Sequence, residues 1–265
     1  MNKKFLVIGN PIEHSLSPKL HNYWIKKNNL KATYEKKLLK EDEIEQLIID
    51  VREEKIQGIN ITVPFKKLVI PFLDTLSDEA RKSQSVNTIY KSKNKIIGDN
   101  TDIEGFKIGL EKTNQIIKNK EALILGAGGV VPSIIIALKK MKISKIYLSN
   151  RTELKALEIK KLFPEIEIIE WGKVTNFDII INATSLGLNN EDEINIEYKK
   201  ISHNKFFYDV IYNPKETNFL KRAKEFGAQT ENGKMMFIYQ AQKAFLIWHN
   251  ILPLVDDETL NLLNT

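Results

Sequence analysis

Residues Ala122 to Met141 read ALILGAGGVVPSIIIALKKM. A short unbroken apolar run, a glycine cluster and a longer apolar run leave few folds open. Apolar runs without alternation belong to strands covered on both faces, and such strands pair in parallel. The segment therefore reads as strand, tight turn and helix, the opening of a βαβ unit. KIYLSNRT follows as a second strand with polar residues at its end, then a helical run from Glu153 to Phe163. IEIIEW, DIIINAT and FFYDVIY are further buried strand candidates. Strand-helix alternation of this kind predicts a Rossmann-like doubly wound α/β domain from about Glu121 onward.

A chain of 265 residues has room for more than that domain. The first hundred residues alternate KFLVIG, ATYEKKLL, GINITV, VNTIY and KIIGD with helical patterns at Pro18–Asn29 and Asp42–Glu54. In the second of these, Ile44, Leu47, Ile48 and Val51 recur at helical spacing. The turn-rich stretch GDNTDIEG, Gly98 to Gly105, is the expected crossing between the halves. Helical patterns at Met236–His249 and Asp256–Leu263 close the chain.

Composition excludes several classes of function. The net charge is +6 and the pI about 9.1, but the lysines are scattered among acids and asparagines, as in KKNNLK and KKLLKEDE. That is a solvated surface and no nucleic-acid footprint. With no cysteine there is no disulfide and no thiol nucleophile. The four histidines, His14, His21, His203 and His249, lack metal-ligand spacing, so no metal is expected. The apolar run in MNKKFLVIGN breaks at Gly9 and Asn10, too short for a signal core or a membrane span. A cytoplasmic protein with a small-molecule partner is the expectation.

The glycine cluster, Gly126-Ala127-Gly128-Gly129, allows close backbone approach to a pyrophosphate at a helix N-terminus, though a plain strand-to-helix turn reads the same way. It departs from GxGxxG at Val131. An NAD site carries an acid at the end of the next strand. Here that place holds Ser149, Asn150, Arg151 and Thr152, with Lys155 beyond. Arginine without a carboxylate suits a 2′-phosphate, so the cofactor expected is NADP. Asn150 and Thr152 also read as helix caps.

Other strand-like runs end in polar clusters: Asn60, Thr62 and Lys66 in GINITVPFKK, Asn87 in QSVNTIY, and Asn100, Thr101 and Asp102 in GDNTDIEG. In open α/β sheets ligands bind at strand carboxyl ends. GNPIEHSLSPKLHN places Ser15 and Ser17 between an apolar run and a helix with Pro18 in its first turn. Ser17 reads as a helix cap, or the loop offers two hydroxyls and free N–H groups to an anion.

Taken in order, GNPIEHSLSPKLHN, NITVPFK, SVNT, DNTDIEG, GAGG, NRT, NATSLG, DVIYNPKET and QAQKAFLIW resemble the motif series of the shikimate dehydrogenase family, from about residue 5 to 250. The resemblance implies NADP-dependent, reversible reduction of 3-dehydroshikimate to shikimate, in aromatic amino acid biosynthesis. It also implies a substrate domain of residues 1–102 plus 236–265 around a nucleotide domain of residues 103–235. By the same resemblance Lys66 and Asp102 are the catalytic pair. Ser15, Ser17, Asn60, Thr62, Asn87, Tyr212 and Gln240 surround the substrate. Gly126 to Gly129, Asn150, Arg151, Thr152, Lys155, Thr184, Ser185 and Gly233 surround the cofactor.

The chain departs from the family pattern in three places, besides the departure from GxGxxG at Val131. Gln84-Ser85 stand where the family usually has Gly-Ala. Pro132 and Lys155 stand where many members have arginine. Two alternatives stay open at this point: a quinate/shikimate dehydrogenase with relaxed cofactor use, and a non-catalytic shikimate-binding regulator. The family includes monomers and homodimers.

Overall fold

The computed structural model describes residues 2–173, 177–189, 191–198 and 204–263. The chain forms two compact units, Met1–Gly105 with Ile238–Thr265, and Phe106–Phe237. In chain order the elements are β1 (Lys3–Gly9), α1 (Ser17–Lys27), β2 (Ala32–Leu38), α2 (Ile44–Arg52), β3 (Gly58–Ile61), β4 (Thr75–Leu76), α3 (Asp78–Ser83), β5 (Thr88–Ser92), β6 (Lys95–Asp99) and α4 (Asp102–Glu111). They continue with β7 (Glu121–Leu125), α5 (Val131–Lys140), β8 (Lys145–Ser149), α6 (Glu153–Leu162), β9 (Glu167–Ile168), β10 (Ile179–Asn182) and β11 (Phe206–Asp209). The last are α7 (Asn218–Glu225), β12 (Gln229–Glu231), α8 (Lys234–His249) and α9 (Asp257–Leu262). No helix among the described residues is long and apolar enough to cross a membrane.

The first unit holds a mixed sheet in the order β2-β1-β3-β5-β6-β4. β1 runs parallel to β2 and β3, whereas β5 is antiparallel to both β3 and β6. The apolar stripe of α2 is buried as its spacing predicts, and Ile44, Leu47 and Val51 pack with Leu6, Ile59 and Ile89 of the sheet. β5 and β6 form a hairpin whose two-residue turn, Lys93-Asn94, has φ of 46° and 63°. Positive φ at both central residues is the turn that matches strand twist.

The second unit is an all-parallel sheet in the order β12-β11-β10-β7-β8-β9. β7 starts the sheet and is flanked by β8 on one side and β10 on the other, so the strand order reverses there. Leu125, Ser149, Asn182 and Asp209 pair across the sheet at one level. The turns that follow β7, β8, β10 and β11 therefore emerge side by side at a topological switch point.

Some expectations shift. GDNTDIEG reaches the boundary between the units at Gly105 as expected, but α4 begins inside it at Asp102. The cause is local: the Asn100 Oδ1 accepts the Asp102 backbone N–H at 3.1 Å, as an N-terminal cap does. The boundaries between the units fall after Gly105 and after Phe237. In IEIIEW only Glu167–Ile168 pairs as strand. α3 and α7 are additional helices, each opened by a hydroxyl cap from Ser77 or Thr217.

Candidate active site

Lys66 leaves the loop after β3, and Asp102 opens α4. The Lys66 Nζ donates to the Asp102 Oδ2 at 2.5 Å. The side chains are 12% and 7% exposed, so water screens the pair little. A buried ion pair survives only if its remaining valences are satisfied, and Asn87 does this for Asp102. The Asn87 Nδ2 donates to the Asp102 Oδ1 at 2.8 Å and to the Thr101 Oγ1 at 2.9 Å. The direction of that amide is fixed by backbone: the Thr101 N–H can only donate, and it does so to the Asn87 Oδ1 at 2.7 Å. The nitrogen end must then face the carboxylate. Gln240 of α8 joins from the other side, its Oε1 3.4 Å from the Asn87 Nδ2.

The backbone around this pair is pinned. The Val86 N–H donates to the Lys66 carbonyl at 2.8 Å, and the Ile61 N–H to the Asn87 carbonyl at 2.8 Å. The departure at Gln84-Ser85 is absorbed here. Gln84 takes a left-handed conformation, φ 48° and ψ 40°, as the C-cap of α3. The Ser85 carbonyl accepts the Asn100 Nδ2 at 2.9 Å.

Thr62, at the carboxyl end of β3, is half-buried, and its N–H donates to the Ile8 carbonyl at 3.0 Å. It thus lies beside the end of β1, from which the serine loop departs. In that loop the Ser15 Oγ accepts the Ser17 N–H at 3.3 Å. Ser17 is the first residue of α1, which opens with no side-chain cap hydrogen bond. The Asn60 amide is engaged within the sheet. Its Oδ1 accepts the Tyr34 hydroxyl at 2.6 Å, and its Nδ2 donates to the Asn87 carbonyl and the Thr88 Oγ1 at 3.1 and 3.2 Å.

In the second unit the glycine turn leaves β7. Gly126 has φ 105°, and a Cβ there would lie 2.8 Å from the Thr184 Cγ2 and 2.9 Å from the Ala183 carbonyl oxygen. Gly128 is exposed, and its nearest Cβ neighbour would be 3.7 Å away. Ala127 and Gly129 are half-buried. The turn thus packs closely on the strand side and leaves Gly128 open. Val131 and Pro132 sit buried in the first turn of α5.

Arg151 and Thr152, just after β8, and Lys155, in the first turn of α6, are exposed, and Arg151 forms no salt bridge among the described residues. Thr152 is the N-cap position of α6 without a side-chain cap bond, while the Asn150 Nδ2 donates to the Thr152 carbonyl at 2.7 Å. The loop after β10 is held by Asn182, whose Oδ1 accepts the Thr184 N–H at 3.0 Å and the Thr184 hydroxyl at 2.7 Å. Ser185 is exposed at its tip. The Asn182 Nδ2 donates to Asp209 at 3.0 Å, and the Thr217 hydroxyl donates to the same carboxylate at 2.7 Å. Burial pushes the Asp209 carboxyl up to about 6. Gly233 lies against β11, where a Cβ would meet the Val210 carbonyl oxygen at 2.1 Å. Tyr212 belongs to this unit and stacks on Phe237 at 4.2 Å.

Sequence reading misses Tyr34, Asn182 and Asp209. Asn182 and Asp209 end apolar strand runs, a signal open to inspection. No group of three or more potential metal ligands occurs among the described residues.

Two family models match the chain. One is described as shikimate dehydrogenase substrate binding domain, over residues 7–89, and the other as shikimate / quinate 5-dehydrogenase, over residues 109–218. A shikimate dehydrogenase (NADP(+)) of Pelagibacter ubique is 75% identical over 264 residues, spanning 100% of both chains. The crystal structure of shikimate dehydrogenase from Aquifex aeolicus matches with a TM-score of 0.90 at 34% identity, over 100% of this chain and 98% of that one. Shikimate 5-dehydrogenase from Thermus thermophilus, crystallised with NADP(H) and shikimate, matches with a TM-score of 0.89 at 29% identity, over 98% of each chain.

Proposed function

The chain belongs to the shikimate dehydrogenase family, and from that membership we propose that it reversibly reduces 3-dehydroshikimate to shikimate with NADPH. It is an NADP-dependent oxidoreductase of the pathway to chorismate and the aromatic amino acids. The observation that carries the reading is the buried Lys66–Asp102 pair, held in one orientation by Asn87.

The residues of the second unit suit the nucleotide. Gly128 leaves backbone open at the start of α5, where N–H groups favour a pyrophosphate. Arg151, with Thr152 and Lys155 beside it, offers donors for a 2′-phosphate, and no acid stands at the end of β8. Asn150, Thr184, Ser185 and Gly233 complete the proposed cofactor set. When bound, NADPH supplies the hydride.

The first unit supplies the proton and the orientation. Reducing a ketone leaves charge on its oxygen, and the Lys66 Nζ stabilises that charge and delivers the proton. In the oxidative direction the same nitrogen takes the proton back. Asp102 holds the ammonium and accepts from a substrate hydroxyl. The Ser15 and Ser17 hydroxyls take the substrate carboxylate without a buried counter-charge. Thr62, Asn87 and Gln240 complete the substrate set of this unit, together with Asn60, which also braces Asn87 from behind.

The two alternatives are not favoured. A regulator has no use for the Lys66–Asp102 pair, and Arg151 argues against relaxed cofactor use. A cytoplasmic monomer or homodimer that binds neither nucleic acid nor membrane belongs to the same proposal. The test is absorbance of reduced nicotinamide with shikimate or quinate and NADP or NAD, in all four pairings. Fast reduction with shikimate and NADP alone is expected. Comparable rates with quinate or NAD overturn the assigned specificity, and silence in all four overturns the reaction.

A further inference from the structure

We propose that Tyr34 is a positioning residue for the reaction, acting through Asn60 and Asn87 on the Asp102 carboxylate. The proposal rests on the reaction assigned above. Tyr34 lies on β2 and Asn60 on β3, with β1 between them; Tyr34 pairs with Phe5 and Asn60 with Val7. The tyrosine therefore reaches across one strand to place its hydroxyl 2.6 Å from the Asn60 Oδ1. Both residues are buried, at 2% and 6% exposure, so water cannot substitute for either partner.

The bonds of this chain run in one direction. The Asn87 carbonyl can only accept, so the Asn60 Nδ2 must face it at 3.1 Å. The Asn60 Oδ1 then faces Tyr34, whose hydroxyl must donate. The Asn60 Nδ2 also donates to the Thr88 Oγ1 at 3.2 Å, and that hydroxyl donates to the Asn87 Oδ1 at 3.1 Å. Asn87 passes the constraint to the Asp102 Oδ1, and the Asp102 Oδ2 holds Lys66. The two amides each have one acceptable orientation, set by a backbone group that can only accept or only donate, while the Thr88 hydroxyl between them also lies 3.4 Å from the Thr101 Oγ1.

The far end is anchored by packing. The Tyr34 ring stacks on His21 with centroids 4.1 Å apart and planes within 4°. His21 is itself enclosed by Trp24, Phe245 and Trp248. Among the described residues its two buried ring nitrogens have no hydrogen-bond partner, so it contributes a flat face and no polar link.

Tyr34→Phe deletes one oxygen and keeps the stack. In that variant the Asn87 carbonyl still sets which way the Asn60 amide faces, but the buried Asn60 Oδ1 loses its donor, so the amide is held less tightly and the brace on the carboxylate loosens. The expected result is a fall in kcat of about tenfold or more, with KM for shikimate and NADP within twofold of the parent. The pH profile of kcat is expected to shift. Placed on an Asn60→Ala background, Tyr34→Phe is expected to add nothing, because the path is already cut. His21→Phe keeps a flat ring under Tyr34 and is expected to leave kcat and its profile in place.

A Tyr34→Phe enzyme with parental kcat and an unmoved profile overturns the proposal. So does additivity with Asn60→Ala, which marks the hydroxyl as general packing. A parent chain that turns over no shikimate overturns the assigned reaction, and the positioning role falls with it. The parent's own turnover therefore separates the two failures.

Discussion

Lys66 and Asp102 are 36 positions apart in the chain, and their charged atoms are 2.5 Å apart. The carboxylate keeps its Asn87 hydrogen bond when the lysine is removed. Lys66→Ala should therefore fold and retain NADP affinity while turnover falls by about 10²–10⁴, the usual worth of a positioned proton donor. Steady-state rates beside a cofactor titration check this. Near-parental turnover would remove Lys66 from the chemistry.

Arg151 gives a separate handle on the cofactor. It is exposed at the end of β8 and forms no salt bridge among the described residues, so its loss should cost the fold nothing. Arg151→Ala is expected to lower kcat/KM for NADP by about tenfold or more, the weight of one charge-assisted contact. The value for NAD should stay where it was. Equal losses with both nucleotides would assign Arg151 another role.

The two glycines of the second unit should fail in different ways. A Cβ at Gly233 would sit 2.1 Å from the Val210 carbonyl oxygen, a backbone atom that cannot step aside. Gly233→Ala should lose soluble, cooperative folding. At Gly128 the nearest atom is 3.7 Å away. Gly128→Ala should melt like the parent and bind NADP more weakly, because the methyl fills the approach to the turn. Melting curves with a cofactor titration tell these apart.

Gln84 holds a left-handed backbone that an L side chain adopts at a cost. Gln84→Gly removes the strain and gives back part of it as unfolded-state entropy. A net gain of about 0.5 kcal/mol is expected in urea unfolding. A loss would mean that the exposed bond from the Gln84 Nε2 to the Arg81 carbonyl, at 2.7 Å, outweighs the strain.

Acid should destabilise the fold through its buried imidazoles. Burial, and then His249, hold His21 down to about 3 from 6.5; burial, and then Lys3, hold His249 down to about 4. Below pH 6.5 the unfolded chain binds these protons and the folded chain does not, so stability falls as pH falls. Each proton contributes about 1.4 kcal/mol per pH unit in that window. Asp209 works the other way. Its carboxyl is raised to about 6 from 3.8, so the folded chain takes up its proton first, and this contribution is lost as pH rises through 6. His21→Phe should flatten the loss of stability between pH 6.5 and 4, as read by unfolding midpoints at a series of pH values. An unchanged slope would show that the carboxylates dominate it.

The parts of the site legible in sequence are those made locally. Gly126 to Gly129 announce themselves because a strand, a turn and a helix are contiguous, and the polar strand ends mark the binding edge of each sheet. α4 is obscured by Asn100 and Asp102, which read as turn formers. In the folded chain Asn100 is a cap, and the helix is completed by burial of Ile103, Phe106 and Leu110. Tyr34 is invisible for a different reason. Nothing in ATYEKKLL says that its hydroxyl will meet Asn60, because that depends on the registers of β1 with β2 and of β1 with β3. The partners of the Asn60 amide are hidden for the same reason.

The β5–β6 hairpin carries Asn87 just before its first strand and Asn100 to Asp102 just after its second. Thr88 pairs with Asp99 at the open end, and the chain reverses at Lys93-Asn94 at the other. The spacing between amide and carboxylate is thus set by the open end alone. Residues added in matched pairs at the reversal would lengthen the ribbon while every existing side chain kept its face. Such insertions are neutral to the chemistry, which makes the hairpin tip the natural place for a label, an affinity tag or a circular permutation.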